Sequence, residues 1–217
     1  MSETPERQNR IAHLNRLREA FEKSAVVASV VGRGPVSAFH ASRAQIAVVA
    51  SIELKDMADV VAELRDGGKF FFLNIDSCRG LAQDKGALEY LRSLRVPGVV
   101  STRTALVERA KALGQATMQK VFVTDRSNLP RSVTSTAMSK PDLLELMPWP
   151  VVPRIEKGVR AELSPFVAAG FVQRRTDVSL ALALGAKAAA TSDQALWDAP
   201  AEELRAAARA ARAAQQD

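Results

Sequence analysis

The chain has 217 residues, with 30 Lys and Arg against 24 Asp and Glu and a pI near 9.8. That length buries one sizeable core and is short for two ordinary α/β domains, so a single domain with appendages is expected, and its basic balance favours polyanions or phosphorylated ligands. The lone Cys78 excludes an intrachain disulfide framework or cysteine zinc site, and with no membrane-length apolar run and no signal-peptide pattern in MSETPERQNR it points to a reducing cytoplasm.

Residues 1–23 read as a polar helix with Ile11, Leu14, Leu17 and Phe21 on one stripe, an appended arm packing against the outside of the domain. From Ala25 onward apolar runs alternate with helical patterns: AVVASVV then PVSAFHAS, QIAVVAS then LKDMADVVAELRDGG, KFFFLNID then DKGALEYLRSL, VPGVVS then TRTALVERAKALG. The alternation continues with ATMQKVFVTD before a helix from Ser127 toward Met138, DLLELMP before VPRIEKGVRAEL, PFVAAG before RRTDVSLALALG, and AKAAATS before a final helix. About eight units over residues 24–199 predict a small closed (β/α)8 TIM-type barrel, whose strands are apolar throughout because both faces are buried. Gly67, Gly68, Gly114 and Gly185 fall where helices should end. Residues 200–217 form an extended Ala/Arg-rich helix with Arg205, Arg209 and Arg212 at helical spacing, read as a solvated helix end.

Parallel barrels collect ligand groups at the carboxyl ends of their strands, which selects the candidate residues. Ser101, Thr102 and Arg103 stand at the tip of the fourth strand. In KFFFLNID a period of two puts Asn74 and Asp76 on one face at the end of the third strand, with Gly80 and Asp84 bracketing a loop over the same mouth; a turn opened by Asp76 is the other reading. Glu145 is a charge inside an apolar strand and must be paired or bound, with Lys120 on the preceding strand as partner, either as a polar layer of the interior or in contact with a ligand. Phosphate-binding barrels use the loops after strands seven and eight, which here supply Ala169, Gly170, Arg174 and Arg175, then Thr191 and Ser192. His13 and His40 fall away from the strand tips, and no triad, histidine metal pair, Walker loop or dinucleotide fingerprint is present.

These residues together resemble the glycerol-3-phosphate-responsive antiterminator (GlpP) family. The resemblance runs from about Ala25 to Trp197 and rests on FLNIDSCRGLAQDKGALEYL, GVVSTRTALVERAKALGQATMQKVFVTDRSNL, KPDLLELMPWPVVPRI, PFVAAGFVQRRTDVSLALALGA and TSDQALW. It implies a small barrel that senses sn-glycerol 3-phosphate and acts on the leader mRNA of glycerol-utilisation genes so that polymerase reads through a terminator. It also implies Asp76, Ser101, Arg103, Lys120 and Glu145 around the ligand, with Ala169, Gly170 and Ser192 near its phosphate. Arg174 and Thr191 complete the phosphate set by the loop argument above. Three positions depart from the family pattern: Ala169 in place of a first glycine, Met147-Pro148-Trp149-Pro150 in place of an LPG turn, and Asp193 in place of an amide.

The resulting expectation is a cytoplasmic regulator with no catalytic residue, metal or cofactor beyond the effector, whose partners are leader mRNA and a small phosphorylated ligand, with no membrane and a homodimer left open. No RNA module is recognisable, and aromatics are only 5%, which leaves few stacking platforms, so the RNA surface is unassigned. The competing class is a barrel lyase or transferase acting on a glycerol-phosphate-like substrate, with Asp76 and Glu145 holding Mg²⁺ or moving protons.

Overall fold

The computed structural model describes residues 4–214. Eight parallel strands close in sequential order: β1 (Val26–Val31), β2 (Ile46–Ala50), β3 (Phe70–Asn74), β4 (Gly98–Ser101), β5 (Ala116–Phe122), β6 (Leu143–Met147), β7 (Phe166–Ala169) and β8 (Ala188–Thr191), with β8 pairing back onto β1. The helices are α1 (Pro5–Lys23), α2 (Val36–Ala41), α3 (Met57–Asp66), α4 (Lys85–Ser93), α5 (Thr104–Ala112), α6 (Leu129–Ser139), α7 (Lys157–Glu162), α8 (Arg175–Ala183), α9 (Gln194–Trp197) and α10 (Ala201–Ala213). The (β/α)8 barrel is thus the observed fold. Among the described residues, no helix is long and apolar enough to cross a membrane.

Alternation along each strand builds two cores. Val27, Ile46, Phe70, Phe72, Val100, Met118, Leu143 and Val167 fill the barrel, whereas Ala47, Phe71, Leu73, Val99, Leu144 and Phe166 pack outward under the helices. Two expected elements break where proline removes backbone donors. In WPVVPR, Pro150 and Pro153 leave Trp149–Arg154 as a 3₁₀ segment, so α7 begins only at Lys157; Pro200 divides the final helix into α9 and α10.

Helix α1 does not lie on the outside of the barrel as its stripe alone implied. It crosses the N-terminal end, where Leu17 and Ala20 join the interior cluster, with Leu14 and Phe21 packed beside them and Ile11 left exposed. Its polar face is pinned to two loops that enter strands and to the end of α4: Arg10 pairs with Asp142, His13 Nδ1 lies 3.0 Å from the Gly114 carbonyl, and Arg92 of α4 bonds Glu6 at 2.9 Å. Gly114, at φ +83°, permits this approach, since a Cβ there would sit 2.6 Å from the Glu6 carbonyl oxygen. Helix α10 packs against α8 through Leu204 and Ala208. Two of its three spaced arginines are tied down, Arg205 to the Phe21 and Glu22 carbonyls and Arg212 to those of Leu182 and Ala183, while Arg209 is exposed as the solvated reading expects.

Candidate functional site

A cavity of about 410 Å³ opens at the carboxyl ends of the strands. It exists because the last inward-facing residues are small: Ser29, Ala50, Ala169, Gly170 and Ala190 line it where larger side chains would fill the barrel. Lys120 and Glu145 face the same space from β5 and β6, whose register places them side by side. Lys120 Nζ lies 3.2 Å from Glu145 Oε2, with the carboxylate side chain 4% and the lysine 15% accessible. Burial pushes the Glu145 carboxyl above the usual carboxylate range, an effect that the Lys120 ammonium opposes but does not cancel. Among the described residues, Glu145 has no polar contact besides Lys120, so a carboxylate with unused acceptor capacity faces a ligand-sized space.

The cavity also brings Ala169, Gly170, Thr191 and Ser192 together. Gly170 has φ +77°, and its carbonyl accepts the Trp149 amide at 3.1 Å, which ties the β6–α7 connection to the β7 tip. The positive φ therefore falls on the glycine, while Ala169 remains an ordinary strand residue. Thr191 Oγ1 donates to the Val172 carbonyl at 2.7 Å and accepts the Asp193 amide at 3.1 Å, so this hydroxyl positions two loops. Ser192 is exposed to the cavity, and its hydroxyl has no partner among the described residues. Asp193 does not line the cavity; its carboxylate caps α9 by accepting the Ala195 amide at 3.0 Å.

Four expected site residues do not line this cavity. β3 ends at Asn74, whose side chain accepts the Asp76 amide and starts a tight turn, so the period of two stops before Asp76. The Asp76 carboxylate accepts from Ser101 Oγ at 2.7 Å and from the Thr102 amide and hydroxyl at 2.6 and 2.8 Å. Ser101 Oγ in turn accepts the Arg103 amide. Asp76 and Ser101 thus clamp the β3 and β4 tips together, and Arg103 stands exposed at the start of α5. Arg174 is also exposed, and the buried Asp177 reaches back from the first turn of α8 to accept both the Gln173 and Arg174 amides. Asp76 and Glu145, paired around Mg²⁺ in the enzyme reading, are each engaged by a different neighbour.

Sequence reasoning missed Ser29, Phe171 and Gln173 as lining residues. Ser29 was legible as the one polar residue of AVVASVV, and Gln173 lies in the loop already singled out. Phe171 carried no signal: it is 72% exposed with φ +61°, a conformation unusual for an aromatic residue.

The family model described as glycerol-3-phosphate responsive antiterminator matches residues 26–197. The chain belongs to that family. Two solved structures share its fold: the glycerol uptake operon antiterminator regulatory protein of Listeria monocytogenes str. 4b F2365, at TM-score 0.76 and 23% identity over 81% of this chain and 96% of that one, and a glycerol uptake operon antiterminator-related protein of Thermotoga maritima MSB8, at TM-score 0.71 and 19% identity over 80% and 98%. A curated relative, the uncharacterized protein YgcP of Escherichia coli (strain K12), is 22% identical across 82% of this chain and 93% of its own length. This member of the antiterminator family therefore keeps the family span within its barrel and carries all of α1 and all of α10 outside it.

Proposed function

We propose that the chain binds sn-glycerol 3-phosphate in the C-terminal mouth and, so loaded, engages the leader mRNA of glycerol-utilisation genes to let polymerase pass a terminator. The observation that carries this reading is the 410 Å³ cavity holding a buried ion pair on one side and Gly170 with Ser192 on the other. Such a site offers both halves of the ligand a partner. The Lys120 ammonium, the Ser192 hydroxyl and the close approach allowed at Gly170 suit a phosphate; the unused lone pairs of Glu145 suit glycerol hydroxyls. Ligand and RNA are then thermodynamically linked, each tightening the other by the same factor.

Transcription in vitro through a glycerol-operon leader with its terminator tests the reading. Read-through that rises on adding chain and sn-glycerol 3-phosphate together, and not with either alone, is the expected result. Turnover of sn-glycerol 3-phosphate by the wild type, lost in Glu145→Gln, would replace it with the enzyme reading.

A further inference from the structure

A groove of about 600 Å³ runs between the end of α1, helices α8 and α10, and the residues entering β8. It is lined by five cations, Arg18, Lys187, Arg205, Arg209 and Arg212, against the single carboxylate of Glu22. Past Arg212 it continues into a second groove of about 670 Å³ that carries Lys157 and Arg160 and no acid. Setting these seven cations and one acid apart from the chain's 30 Lys and Arg and 24 Asp and Glu leaves 23 of each, so the two grooves account for the whole formal charge of +6.

Three of these cations are held in place, and among the described residues none of the seven is paired with a carboxylate. Arg205 and Arg212 bond backbone carbonyls at the ends of α1 and α8, and Arg160 bonds those of Leu184 and Ile155, which fixes their guanidinium groups while pairing none with a carboxylate among the described residues. Arg18, Lys187 and Arg209 are exposed and meet no carboxylate among the described residues. We infer that these joined grooves, at the N-terminal end of the barrel, are the track for an RNA phosphate backbone; the inference rests on the antiterminator reading above. No exposed large apolar residue lines either groove, which favours a polyanion strand over a lipid surface. No exposed aromatic ring is available there for stacking, so the track holds RNA by its phosphates and leaves base selection to other contacts.

The track has a physical route to the ligand mouth. Helix α8 begins at the mouth, where Asp177 holds the Gln173 and Arg174 amides, and its last carbonyls are held by Arg212 and Arg160. One short helix thus contacts both places. Four of the seven cations come from α1 and α10, outside the matched family span, so the track is in large part built from this chain's appended helices.

The test is fluorescence anisotropy of the full chain with two labelled probes, a uridine-rich single strand and a GC-rich hairpin RNA, across a salt series with sn-glycerol 3-phosphate present. The triple variant Arg18→Ser/Lys187→Ser/Arg209→Ser spares the arginines that hold helix ends and should keep the wild-type melting temperature. The expected result is at least tenfold weaker RNA binding and a slope of log K against log salt shallower by about 2, the loss of three phosphate contacts on a single strand. A single Arg209→Glu variant should weaken binding in the same direction. Wild-type RNA binding that the triple variant retains with an unchanged slope overturns the groove assignment and leaves the antiterminator reading standing. If the wild type binds neither RNA, both fall. Binding to phosphatidylglycerol vesicles in place of RNA also overturns the inference.

Discussion

The two ends of this barrel are built from the same alternating strands and come out differently. At the N-terminal end the inward residues are large and apolar, and α1 adds Leu17 and Ala20 to the cluster, so the end is sealed. At the C-terminal end the inward residues are small or ionisable, and a cavity remains, with Val31 and Phe171 exposed at its lining. Side-chain volume in the last layer therefore decides whether a barrel end becomes core or site. On the proposed function the same contrast puts apolar packing at the sealed end and ligand binding at the open one.

Leu17→Ala gives the largest expected effect at the sealed end. Deleting a buried leucine side chain should lower the unfolding free energy by about 2–5 kcal/mol in a denaturant titration, with affinity for sn-glycerol 3-phosphate unchanged. Gly170→Ala probes the open end. A Cβ at φ +77° would meet Met147 Cε at 3.3 Å, so the variant should lose about 1–2 kcal/mol of stability and, unlike Leu17→Ala, also bind the ligand more weakly. Affinity lost in Leu17→Ala but kept in Gly170→Ala would break the division.

A smaller effect distinguishes the ends by pH. Burial lowers the His13 pKa, and the nearby Arg16 lowers it further against the opposing hydrogen bond to Gly114. The folded state thus prefers the neutral ring, whose contribution is complete above the unfolded value of about 6.5 and is lost as pH falls through the lower folded value. Stability measured against pH should show this loss in the wild type and not in His13→Gln. The smallest effect concerns Cys78, beside the open end but buried, where desolvation pushes its thiol up to about 11. Iodoacetamide at pH 8 should label it far more slowly than a free thiol until the chain unfolds. Rapid labelling of the folded chain would mean that the β3–α4 wall of the mouth opens.

The barrel was legible because eight apolar runs, buried on both faces, alternate with helical patterns. The Lys120–Glu145 pair was legible for the opposite reason, since a charge inside an apolar strand must find a partner. Asp76 misled because the strand period stops at Asn74, whose side chain opens a turn instead. Arg103 and Arg174 are exposed and lie outside the cavity lining, because position at a strand tip does not set where the end of a long side chain lies. The apolar stripe of α1 showed that a face would be buried but not against what; its seat depends on loops far away in sequence, at Gly114 and Asp142.

Calorimetric titration of sn-glycerol 3-phosphate into the wild type and into Lys120→Met/Glu145→Leu tests the central claim most directly. Replacing both members of a buried pair with apolar groups of similar size should leave the fold intact. Saturable binding by the wild type and none by the folded double variant is the predicted result. Equal binding by both, or no binding by the wild type, would contradict the assignment of the mouth as the ligand site.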